Sequence, residues 1–173
     1  MGGWFDEYQA AHDAYHHALV HLRKSIPPGV RSLSIDRSYL PTFTFGESDV
    51  VVVLGQDGLV VNVAKYLVGQ SVVALNPDPE RIDGVLLPFD YLRAQGAIGP
   101  TLSRRAAWRE VTRAQATLND GQSLLAVNDL FVGQKTHTSA RYRIRLKDRE
   151  EDQSSSGIII STGTGSMGGI APS

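Results

Sequence analysis

The chain has no cysteine, which excludes disulfide bonds and thiolate metal sites. It has no apolar run long enough to cross a bilayer. Its opening, Met-Gly-Gly-Trp-Phe-Asp-Glu-Tyr-Gln, lacks the basic and then apolar pattern of a secretory leader. Net charge is only −1 at neutral pH, which argues against a nucleic-acid binder held by bulk positive charge. There is no Walker loop ending in Gly-Lys-Ser/Thr, no Gly-x-Gly-x-x-Gly and no His-Glu-x-x-His. No internal repeat is evident. The expectation is a soluble, cytoplasmic protein with neither a membrane nor a nucleic-acid partner.

What is present is enough for a packed core. The 173 residues are 42% hydrophobic and 20% charged, which fits one domain or two small ones. Phe5, Tyr8, Ala11, Tyr15, Ala18, Leu19 and Leu22 recur at helical spacing and predict a helix over 5–24, stopped by Pro27-Pro28-Gly29. A short strand is expected over 30–35, and a loop containing Pro41 over 38–46. The run 49–54 is nearly all valine and leucine, the pattern of a strand buried on both faces of a parallel sheet. A helix over 59–68 and a second apolar strand over 72–75 complete a βαβ unit. The alternative, a hairpin turning on Asp57-Gly58, would give its second strand no clean alternation.

From Arg104 the texture turns to β. Segments 108–118 and 123–127 flank Asn119-Asp120-Gly121, a hairpin turn. Residues 141–147 alternate strictly, with Tyr142, Ile144 and Leu146 on one face and Arg141, Arg143, Arg145 and Lys147 on the other. That cationic face reads as solvated, with phosphate contact as the lesser alternative. Residues 150–156 read as a polar turn, and 157–160 as apolar again. The predicted fold is an α/β N-terminal domain with a parallel sheet (1–100), followed by a partial β-rich domain (101–173).

Three segments carry candidate chemistry. Gly55-Gln56-Asp57-Gly58 ends the buried strand. It is either a tight turn or a phosphate cradle in which glycines and free helix N–H groups meet phosphate and an acid addresses an attacking hydroxyl or Mg²⁺. Asn128 and Asp129 interrupt an apolar stretch and offer an amide donor and anionic acceptor suited to a ribose diol or a carboxamide, or else form an ordinary Asx turn. Ser161-Thr162-Gly163-Thr164-Gly165-Ser166 is a hydroxyl-rich glycine loop that could wrap a nucleotide or simply fray. The helical pairs His12/His16 and His17/His21 have chelating spacing but face different ways, and read as solvated helix surface. No metal ligand is assigned.

In this order the three segments resemble the NAD kinase family. That family carries a Gly-Gly-Asp-Gly loop after an α/β strand, then an Asn-Glu or Asn-Asp pair and a Thr-Gly-Ser loop in a β-rich domain. The resemblance runs from about Asp49 to Ser166 and includes Thr138-Ser139-Ala140-Arg141. It implies transfer of phosphate from ATP, or from polyphosphate, to the adenosine 2′-hydroxyl of NAD, with Mg²⁺ accompanying ATP. Asp57 would orient or deprotonate that hydroxyl. Gly55, Gln56 and Gly58 would meet phosphate, Asn128 and Asp129 would hold NAD, and Thr164, Gly165 and Ser166 would close over the nucleotide.

Gln56 stands where the family has its second glycine, and Met167-Gly168-Gly169 where it has Thr-Ala-Tyr. The resemblance is therefore to a truncated or divergent member, whose missing strands would leave edges open to homo-oligomerisation. Two other readings stay open: a non-catalytic nucleotide-binding or assembly module of kinase ancestry, and a related sugar or lipid kinase.

Overall fold

The computed structural model describes residues 3–167. They form two compact units, Met1–Arg109 and Glu110–Ser173. A cut near residue 100 would pass through a helix, Ala94–Leu102.

In the first unit the leading periodicity becomes helix α1 (Gly3–Ser25), which buries Ala18 and Leu22. It stops where Pro27 begins a turn closed by Val30 N–H on the Pro27 carbonyl at 3.2 Å, with Gly29 at φ 83°. The expected strand over 30–35 does not form, because no strand lies beside it to take its backbone groups. Asp36 instead caps a 3-10 helix, Arg37–Thr42, which contains Pro41 and buries Leu40.

The parallel unit forms as expected. Strand β1 (Val50–Leu54) leads through helix α2 (Asp57–Ala64) to β2 (Ser71–Asn76), paired in parallel with Val50 beside Ser71 and Leu54 beside Leu75. Helix α2 starts two residues earlier than its apolar pattern, because the Gln56 carbonyl accepts from Leu59 N–H (2.9 Å) and Val60 N–H (3.4 Å). A two-residue strand, β3 (Phe89–Asp90), extends the sheet in parallel beyond β2, giving the order β1-β2-β3. Helix α3 (Ala94–Leu102) follows.

The valine run sits between two cores. Val50, Val52 and Leu54 face Ala18, Leu22, Ala94, Ala97 and Ile98 of α1 and α3, together with Val73 and Leu75. Val51 and Val53 face Val63 and Leu67, Leu40 and Val72 on the other side. The sheet is thus covered on both faces, which is what a parallel sheet requires. Leu75 is fully buried at its centre, worth about 1.5–3 kcal/mol in apolar transfer.

Among the described residues the second unit contains three two-stranded antiparallel ribbons. β4 (Ala114–Thr117) pairs with β5 (Ser123–Ala126) across the expected Asn119-Asp120-Gly121 turn, with Gly121 at φ 85°. β6 (Asp129–Gly133) pairs with β9 (Gly157–Ser161), and β7 (Ala140–Leu146) with β8 (Arg149–Ser155). Residues 150–156, expected as a polar turn, lie mostly in strand β8. Cross-strand ion pairs hold it: Arg143 meets Asp152 at 2.7 Å, and Arg145 meets Glu150 at 2.5 Å. Lys147 leaves the cationic face for the β7–β8 turn, where its φ is 54°. Two of the remaining cations are therefore paired across the ribbon as well as exposed. A five-residue helix, α4 (Gly163–Met167), follows β9.

Candidate functional site

The Gly55–Gly58 segment lies at the carboxyl edge of the parallel sheet, where β1 gives way to α2. That is where ligands of open α/β sheets bind. Gly55 continues the ladder by donating to the Leu75 carbonyl at 3.2 Å. A side chain there would meet Leu59 Cδ2 at 2.8 Å, so a larger residue would push the tip of the Leu59 side chain aside. Gln56 is extended, at φ −91° and ψ 165°, so a non-glycine residue carries no left-handed strain. Its side chain caps nothing and is exposed. A Cβ at Gly58 would meet nothing within 4 Å, and the first-turn N–H groups have no partner within the helix.

Asp57 is the first residue of α2, half-buried. One carboxylate oxygen accepts from Val85 N–H at 2.9 Å, and the other from Leu86 N–H at 3.0 Å. The acid therefore ties the start of α2 to the loop that follows β2. Asn76, buried at the end of β2, shapes that loop from within: its amide donates to the Ile82 carbonyl at 2.7 Å and accepts from Asp78 N–H at 2.9 Å. Segment 76–87 thus completes this edge. In the sequence it reads only as a strand broken by Asn76-Pro77-Asp78-Pro79. An Asn directly after an apolar strand run was the available signal. A separate cavity of about 300 Å³ opens at the opposite, amino edge of the sheet, lined by Glu47, Asp49, Ser71, Leu102, Arg104 and Trp108. It lies away from Gly55–Gly58.

In the second unit two of the candidate segments meet. Pairing of β6 with β9 sets Asp129 opposite Ser161. Thr162, buried, donates its hydroxyl to the Val127 carbonyl and approaches the Asn128 carbonyl at 3.0 Å. Its N–H donates to the same Asn128 carbonyl at 2.8 Å. Gly165 N–H donates back to the Thr162 hydroxyl at 3.2 Å. Gly165 sits so close that a Cβ would fall 2.1 Å from the Asn128 oxygen. With their backbone held in this way, the Asn128 and Asp129 side chains are exposed. Thr164 is half-buried in α4, and Ser166 takes part in the same helix. Of the Met167-Gly168-Gly169 stretch, Gly168 and Gly169 lie outside the described residues.

No family model matches the chain, and neither the curated proteins nor the solved structures yield a match.

His12, His16 and His17 are exposed, as expected of a solvated helix surface, and His21 is half-buried. His17 and His21 stack edge-on against Tyr91, each 5.6 Å from its ring, and the Tyr91 hydroxyl lies 3.2 Å from His17 Nδ1. His12 and His16 lie 4.2 Å apart, ring to ring. Among the described residues no group of three or more His, Asp or Glu side chains is placed to hold a metal ion, and no helix is long and apolar enough to cross a membrane.

Proposed function

We propose that the chain is an NAD kinase-like phosphotransferase that moves phosphate from ATP, or from polyphosphate, to the adenosine 2′-hydroxyl of NAD. The observation that carries this reading is the junction in the second unit. Thr162 joins the Asn128-Asp129 pair to the Thr164–Ser166 loop across 34 residues of chain, as a shared dinucleotide site needs. The first unit adds support: an acid and two glycines stand at the carboxyl edge of a parallel sheet, on the N-terminus of α2.

In this reading the 2′-oxygen attacks the terminal phosphorus. The new O–P bond forms as the bond to the leaving ADP breaks, and the hydroxyl proton passes toward Asp57 or water. Asp57 already accepts two amide hydrogen bonds, but a carboxylate has about four lone-pair sites and can take a third donor. Its main contribution is orientation of the hydroxyl. Magnesium would arrive on the ATP phosphates as part of the substrate. Self-association through the open ribbon edges belongs to the same reading.

A second reading is favoured by the Asp57 geometry itself. Both oxygens hold loop amides, which suits a nucleotide-binding module that no longer catalyses. The deciding experiment incubates purified protein with NAD and ATP and measures NADP. Turnover that falls about 10²–10⁴-fold in Asp57→Ala supports the kinase. Absent turnover with intact calorimetric NAD binding selects the binding module. Transfer of label from ATP to a sugar or lipid instead of NAD changes the acceptor.

A further inference from the structure

We infer that Thr162 is the positioning residue of the dinucleotide site, an inference that rests on the reading just given. A single buried hydroxyl addresses both halves of that site. It donates toward the Val127 and Asn128 carbonyls and accepts from Gly165 N–H at 3.2 Å. One hydroxyl has one proton and two lone pairs, so the shared donation uses its proton and the acceptance one of its lone pairs. Thr162 N–H adds a second tie to the Asn128 carbonyl at 2.8 Å. The Ser161 hydroxyl reaches the same oxygen at 3.4 Å.

The Asn128 peptide is therefore gripped from one side by Thr162 and closed on the other by Gly165, which leaves no room for a Cβ. The side chains assigned to the ligand, Asn128 and Asp129, remain exposed. Thr162, buried, touches no ligand itself. Its consequence is that the Asn128-Asp129 pair and the loop bearing Thr164 have a fixed spacing before NAD arrives. Binding then spends little free energy on ordering them.

The test compares Thr162→Val, which keeps the volume and removes the hydroxyl, with Thr162→Ser, which keeps the hydroxyl. Calorimetric titration with NAD should show affinity reduced about tenfold in the valine variant and restored to within about twofold in the serine variant. KM for NAD should rise in the valine variant while KM for ATP stays within about twofold. A merely structural role would lower the melting temperature of Thr162→Val without separating the two KM values, and that result overturns the inference.

Amide hydrogen exchange of unliganded wild type gives a readout that needs neither variant nor ligand. The Gly165 and Thr162 amides should be protected before NAD is added, and exchange at open-chain rates overturns the inference even if the valine variant does not fold. Wild type that binds no NAD refutes the phosphotransfer reading. Thr162 then positions no dinucleotide and the inference falls with that reading, whereas NAD binding that is unchanged in Thr162→Val rejects the inference alone.

Discussion

Replacing Gly165 with alanine tests the tightest approach in the second unit. The new Cβ would lie 2.1 Å from the Asn128 oxygen, 2.6 Å from its carbonyl carbon and 2.7 Å from the Ser161 hydroxyl. Two of these are backbone atoms, and the oxygen is already held by Thr162 N–H. Ordinary contact begins near 3.4 Å, so α4 and the Asn128 peptide must part by roughly 1 Å. Two effects of opposite sign compete. Alanine is favoured over glycine by about 0.8–1.0 kcal/mol inside a helix, and by less in one as short as α4. Overpacking costs about 1–3 kcal/mol, and the separation strips the buried Thr162 hydroxyl of partners, at about 1–3 kcal/mol more. The clash wins, with net destabilisation of about 2–4 kcal/mol.

Both tryptophans, Trp4 and Trp108, fall in the first unit, so fluorescence would miss the change. Urea-dependent hydrogen exchange read by mass spectrometry over peptides from 123–167 would follow it. Gly163→Ala is the control: a Cβ there meets nothing within 4 Å, and its effect should stay under about 1 kcal/mol. If Gly165→Ala proves as stable as the Gly163 variant, the two segments do not approach as described and the joined site falls with them.

Two further outcomes concern the first unit. Asp57→Ala orphans the Val85 and Leu86 amides and should destabilise this unit by about 1–3 kcal/mol in urea titration, with Asp57→Asn, which keeps one acceptor, losing about half as much. Equal stability of all three proteins would mean that the carboxylate does not hold the loop. Asp36 has its pKa lowered from the ordinary 3.8, first by the Ser38 N–H and then by the Ser38 hydroxyl. A carboxyl with a lowered folded pKa contributes stability above the unfolded value and loses it as pH falls through the folded one. Wild type should therefore exceed Asp36→Ala in melting temperature at neutral pH and converge with it only once the pH has fallen through the lowered folded pKa, which lies under 3.8. A gap that persists there would refute the capping role.

The parts legible in the sequence were those written locally. The Val50–Leu54 run, the crossover to β2 and the Asn119-Asp120-Gly121 hairpin each declare themselves within about a dozen residues. Strand β8 did not. Arg149–Ser155 has no apolar face to betray a strand, and it pairs because Asp152 and Glu150 meet arginines of β7. Helix α3 was hidden by Gly96, Gly99 and Pro100. It forms because Ala94, Ala97, Ile98 and Thr101 fall on one buried face. Of the site, the three segments stood out by composition, and so did the order in which they occur. Thr162 did not stand apart from the hydroxyl-rich loop around it. Its partners are main-chain carbonyls 34 and 35 residues upstream, and no side-chain pattern encodes those.

The two-sided burial of β1 has a mechanical corollary. A strand that is aliphatic front and back gives no polarity signal to tell one alignment from the next, since a slip exchanges valine for valine. Alignment must then be read at its ends. Upstream, Asp49 holds the Gly46 amide at 2.8 Å and sets where the ribbon begins. Downstream, the Leu59 side chain packs over Gly55, 2.8 Å from where a Cβ would lie, and marks where it ends. These two stops work like the jaws of a calliper, and a single residue inserted between them would push Leu54 into the place of Gly55, against the Leu59 side chain.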